Sequence, residues 1–115
     1  MSYILTTWKR ISLDGHNVSE YFRNRGYKTI AIYGRGKLGG YLERELLHAG
    51  MRVAFFIDKN AANIIDCECK AIDDDFKVVD VIVITITEDL IETRKILEKK
   101  NKGKVKMLLD VLKDR

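Results

Sequence analysis

Apolar residues along this chain fall into two rhythms, short unbroken runs and stripes at helical spacing. The run KTIAIY, Lys28 to Tyr33, is rich in β-branched residues and bounded by Gly26 and Gly34, which predicts a buried strand. Beyond the glycines, Leu38, Leu42, Leu46 and Ala49 recur at helical spacing with Glu43, Arg44 and Glu45 between them, and Gly50 supplies the stop. RVAFFID, Arg52 to Asp58, is a second run of strand length. Strand, helix and strand in direct succession need a crossover, so the two strands lie parallel and helices cover both faces of the sheet.

The flanking segments extend this unit. Residues 1–16 show no clear period, and Trp8 and Ile11 read as apolar cover for an edge of the body. NVSEYFRNRG, Asn17 to Gly26, predicts a short helix with Asn17 as cap, Glu20 in the capping-box position and Gly26 as the stop. Lys59 to Asp75 is polar and weakly periodic, a loop with a short edge strand near Cys67 to Ala71. DVIVITIT, Asp80 to Thr87, is the strongest strand signal; Thr87 then caps a helix carrying Leu90, Thr93 and Leu97 that ends near Gly103. Val105 to Leu109 supplies a last strand before a short tail. The expectation is one α/β three-layer domain spanning 1–115, with a mainly parallel sheet in the order 3-2-1-4.

Composition fits that size of body. The 115 residues are 46% hydrophobic and 33% charged, enough for one core without metals or disulfides. Cys67 and Cys69 form an isolated C-x-C with His16 and His48 far away, which reads as two reduced, partly buried thiols rather than a zinc site. Net charge is +4, much of it from EKKNKGKVK; without interleaved aromatics these lysines suit a solvated helix end better than a nucleic-acid surface. The apolar runs are too short to span a membrane and the amino terminus lacks a secretory pattern, which reads as a cytoplasmic protein.

The chemistry concentrates at one junction. Gly34, Gly36 and Gly39 have the spacing G-x-G-x-x-G between the first strand and its helix. Such a turn needs a residue tolerant of unusual dihedrals at Gly34, a missing side chain for close approach of a pyrophosphate at Gly36, and close helix-strand packing at Gly39. The following helix offers unpaired N–H groups and partial positive charge to phosphates. Asp58 closes the second strand near the distance of about 20 residues at which a carboxylate meets ribose hydroxyls. The candidate cofactor-binding set is Gly34, Arg35, Gly36, Lys37, Leu38, Gly39, Asp58, Lys59, Thr85 and Thr87, with NAD favoured over NADP by the charge of Asp58, and a UDP-sugar as the other candidate. A plainer reading stands beside it: a fold that keeps this turn without a ligand.

IAIYGRGKLGGYLERELLHAGMRVAFFIDKNAANI together with VDVIVITIT resembles the small Rossmann-like modules of bacterial surface-polysaccharide loci, which occur alone, fused to glycosyltransferases, or at the front of sugar-nucleotide modifying enzymes. The resemblance implies a dinucleotide- or nucleotide-sugar-binding module that serves polysaccharide or sugar-nucleotide metabolism beside a catalytic partner chain. The related dehydratases and epimerases carry glycines like Gly34, Gly36 and Gly39 and an acid like Asp58, which leaves a subunit of an NAD-dependent oxidoreductase as an alternative. Their Tyr-x-x-x-Lys pair is matched here only in spacing, by Tyr33 and Lys37, which straddle the glycine turn. No nucleophile-base pair or metal cluster is evident, so no catalytic residue is assigned. The turn also resembles the ligand-sensing domains of potassium-transport regulators, which implies a nucleotide-sensing role as a further alternative. A sheet this small leaves edges that association covers, so a homodimer is expected.

Overall fold

The computed structural model describes residues 3–65, 67–86 and 88–115. Among these residues the elements follow in the order α1 (Tyr3–Leu13), α2 (Ser19–Arg25), β1 (Ile30–Tyr33), α3 (Lys37–His48), β2 (Val53–Ile57), a single 3-10 turn (Ala61–Asn63), β3 (Cys69–Lys70), β4 (Val81–Ile84), α4 (Leu90–Lys100), β5 (Val105–Met107) and α5 (Leu108–Lys113). The strands form one sheet in the order β3-β2-β1-β4-β5, every neighbouring pair parallel. This is the Rossmann-like three-layer architecture, with the expected 3-2-1-4 order extended by β5 at the far edge.

The sheet divides the core by strand parity. Ile30, Ile32, Phe56, Val81 and Val83 point to one face and are covered by α1, α2, α3 and α5. Ala31, Tyr33, Phe55, Ile57, Ile82 and Ile84 point to the other, where Leu97 and Leu90 of α4 pack. Successive strands step away from β1 in opposite directions on its two sides. Right-handed crossovers therefore place α3 and α4 on opposite faces, and the chain leaves a crevice between the carboxyl ends of β1 and β4.

The amino-terminal segment is a helix, which corrects the expectation of an aperiodic cover. Ile4, Trp8 and Ile11 carry the stripe at helical spacing, Trp8 and Ile11 are buried, and Trp8 meets Tyr41 of α3 edge-on at 6.4 Å. The second correction lies at the other end. The expected strand Val105 to Leu109 stops at Met107, and Leu108, Val111 and Leu112 turn at helical spacing into the core as α5.

The N-cap position of α2 is Val18, one residue later than the expected Asn17, and carries no side-chain cap. Asn17 and Glu20 still clasp the entry: Glu20 accepts from the Asn17 N–H at 2.9 Å while Asn17 Oδ1 accepts from the Ser19 N–H at 2.8 Å. Gly26 takes the left-handed conformation at the end of α2 (φ 70°), where the Tyr27 N–H reaches back to the Phe22 carbonyl at 2.9 Å. The crossover from β3 to β4 has no helix among its described residues; residues 71–80 run as a strap. It is held by Asn101, fully buried, which accepts from the Val79 N–H at 2.8 Å, and by Lys100, which donates to the carbonyls of Ile72 and Asp74. Lys100 therefore does structural work that the reading of a solvated helix end did not foresee. Cys67 and Cys69 are of intermediate exposure, and no helix among the described residues is long and apolar enough to cross a membrane.

Candidate functional site

The junction from β1 to α3 is shaped by three different demands on its glycines. Gly34 has φ +106°, and a side-chain carbon there would stand 2.5 Å from Thr85 Oγ1 and 2.8 Å from Ile86 Cγ2. Gly39, in the first turn of α3, would place the same atom 2.1 Å from the Gly34 carbonyl oxygen, so the helix sits directly on the turn. A side-chain carbon at Gly36 would meet nothing within 4 Å. Gly34 and Gly39 are thus required by the protein's own packing, whereas the space at Gly36 stays open in front of the helix.

That open space faces amide hydrogens. The first N–H groups of a helix have no carbonyl partner within it, and Gly36, the N-cap of α3, provides no side chain to satisfy them. The site therefore presents backbone donors and the positive end of the helix dipole.

Asp58 holds the turn from the β2 side. Its Oδ2 accepts from the Arg35 N–H at 2.7 Å and its Oδ1 from the Asn60 N–H at 2.8 Å. Each carboxylate oxygen keeps a further lone pair, so Asp58 can position the turn and still accept from a ribose hydroxyl. The Gly34 N–H adds a bond to the Ile57 carbonyl at 2.8 Å, which fixes the turn to the end of β2.

The other expected residues divide into those facing the junction and those facing away. The Arg35 guanidinium lies over the Phe56 ring at 4.6 Å and 3.7 Å from Glu43, along the flank of α3 rather than over its start. Lys37 is exposed at the first position of α3, and Leu38 packs against the core beneath it. Thr85 is buried and donates to the Tyr33 carbonyl at 2.8 Å, so its hydroxyl closes the turn from the β4 side. Thr87 lies outside the described residues; the N-cap of α4 is Asp89, a non-glycine residue at φ 50°. Lys59 bonds across to Asp89 at 2.9 Å, and that hydrogen bond, with the charge behind it, holds the Lys59 ammonium above the ordinary lysine range.

Lys59 and Asp89, bonded to each other, line a cleft of about 770 Å³ that also takes in Tyr33, Ile72, Leu90 and Thr93. The cleft adjoins the glycine turn, since Tyr33 precedes Gly34 and Lys59 follows Asp58. Its volume is within the range of roughly 300–1,000 Å³ typical of small-molecule sites. Tyr33 is 1% exposed, and its hydroxyl has no hydrogen-bond partner among the described residues. A buried tyrosine hydroxyl normally finds one. Sequence reasoning missed Tyr33 and Asp89 as site residues. A tyrosine closing an otherwise aliphatic strand was the available signal for the first; the second depends on how α4 docks.

A separate hollow of about 590 Å³ lies at the amino ends of the strands, beside Thr29, Phe55 and Val79. It is at the opposite end of the sheet from the glycine turn and contains no helix start. Among the described residues no cluster of three or more His, Cys, Asp or Glu could hold a metal ion. No family model matches the chain, and a search of curated proteins finds no match.

Proposed function

We propose that this chain is a nucleotide-binding module that holds a phosphorylated ligand, NAD or a nucleotide-sugar, at the carboxyl edge of its sheet. The observation that carries the reading is the contrast among the glycines: two are demanded by internal contacts, and Gly36 alone fronts empty space before unpaired amides. Phosphate oxygens accept from the first amides of α3, Asp58 accepts from a ribose hydroxyl, and the adjoining cleft receives the base. The resemblance noted above attaches this module to surface-polysaccharide or sugar-nucleotide metabolism, beside a catalytic partner. The sheet edges β3 and β5, each paired on one side only, are where a homodimer would join.

Thermal unfolding of the chain with NAD, NADP, ATP and UDP-sugars tests the reading. A true ligand at a hundred times its dissociation constant adds about 2.7 kcal/mol of stability. Gly36→Val, at an N-cap where glycine is preferred to valine, should stay folded and melt only a few degrees below the parent chain, and respond to none of these compounds. An unchanged ligand response in Gly36→Val would place the ligand elsewhere.

A further inference from the structure

The crevice is unequal on its two sides. Toward β2, the cleft below Tyr33 offers about 770 Å³ and a rim of both charges from Lys59, Asp89 and Glu92. Toward β5, the corresponding hollow measures about 180 Å³ and is walled largely by Ile4, Ile84, Ile86, Met107 and Leu108. That is below the volume of roughly 300 Å³ at which small-molecule pockets begin.

The cause is local. β5 passes straight into α5 at Leu108 with no loop between them, and Ile4 of α1 reaches the ends of β4 from the same side. Of the two polar residues lining this hollow, Thr85 is already bonded to the Tyr33 carbonyl and Asp110 would meet a phosphorylated ligand with like charge. A ribose and a second base placed here would lose hydration and meet mostly aliphatic carbon.

We infer that the ligand carries a single nucleoside: its base and ribose occupy the Tyr33 cleft, its diphosphate lies on the start of α3, and no second nucleoside is held. This rests on the nucleotide-binding reading above and narrows it to nucleoside diphosphates, with any group beyond the second phosphate standing in solvent. The unpartnered Tyr33 hydroxyl is the group in the cleft that the ligand satisfies.

Isothermal titration of the whole chain with ADP, UDP, GDP, ADP-ribose, NAD and inorganic pyrophosphate tests this. At least one nucleoside diphosphate should bind as tightly as NAD, and NAD no better than ADP-ribose. Tyr33→Phe should weaken the nucleoside diphosphate about tenfold, leave pyrophosphate affinity unchanged and leave the melting temperature of the free protein where it was. Two results would overturn the inference: NAD binding more than about tenfold tighter than ADP and ADP-ribose, or Tyr33→Phe binding nucleoside diphosphates as the parent does. In the first case a loss of NAD binding in Gly36→Val would leave the phosphate site standing. Failure of every compound, pyrophosphate included, would remove both the site and the inference.

Discussion

Replacing Gly39 and Gly40 in turn by alanine separates helix propensity from close packing within one turn of α3. Each substitution removes a glycine from a helix, which by propensity alone is worth up to about 1 kcal/mol in favour of folding. At Gly40 the new methyl meets only the far end of the Arg35 side chain, 3.4 Å away, and that side chain can move. At Gly39 it would sit 2.1 Å from the Gly34 carbonyl oxygen. That carbonyl belongs to a turn fixed by the Gly34 bond to Ile57 and the Asp58 bond to the Arg35 N–H. To regain ordinary separation α3 must rise by roughly 1 Å or more from the turn. Overpacking costs about 1–3 kcal/mol, and a backbone obstacle puts this site at the upper end. The net for Gly39→Ala is a loss of about 2 kcal/mol, against a gain of up to about 1 kcal/mol for Gly40→Ala. In a domain of this size the two proteins should melt on the order of 10 °C apart, by calorimetry or by circular dichroism. If Gly39→Ala is as stable as Gly40→Ala, the helix is not seated on the turn, and the geometry that aims its amides at Gly36 is wrong.

Asn101→Ala leaves the buried Val79 N–H without its partner at 2.8 Å, while the Lys104 carbonyl loses the Asn101 amide but keeps the Ile82 N–H at 3.1 Å, so urea unfolding should show a loss of about 2 kcal/mol. The N–H groups of Lys28 and Thr29 hold the Asp80 carboxyl below the ordinary carboxylate value of 3.8. Because the folded value is the lower one, this stabilisation is complete above 3.8 and is lost as pH falls through the folded value. Asp80→Asn should therefore be less stable than the parent near neutrality and should lose less on acidification, measured by denaturant unfolding across the acid range; equal acid sensitivity would contradict the assignment. Lys100→Met keeps the aliphatic stem but loses the bonds to Ile72 and Asp74 that fix the strap, and should raise amide hydrogen exchange across residues 71–79 more than across β1 or β4.

The central parallel unit was legible because its information is local. Continuous apolar runs at Ile30–Tyr33 and Val81–Ile84, each flanked by turn residues, can be satisfied only by strands covered on both sides. The two ends were harder. The stripe of Ile4, Trp8 and Ile11 is interrupted by polar residues, so although Gly15 marks its end at φ 81°, it becomes a helix only when α3 and α5 give it a surface to cover. At Met107 the apolar run continues unbroken into Leu108 and Leu109, and a change of period inside such a run leaves no mark until the packing of Val111 and Leu112 is known.

The site shows the same division. G-x-G-x-x-G and Asp58 are written in the order of residues because backbone dihedrals, a missing side chain and a helix start are properties of neighbours along the chain. Whether Arg35 faces a phosphate or the flank of α3, whether Thr85 serves a ligand or the turn, and which side of the crevice is open depend on residues that meet only on folding. Glu43, Phe56, Ile4 and Asp89 come from four separate elements or their ends, and their distances to the glycine turn are set by how α1, α3, α4 and α5 pack on the sheet. Short-range order in the chain thus established the strand-turn-helix and the amide donors at its start, while long-range packing established how much room surrounds them and on which side.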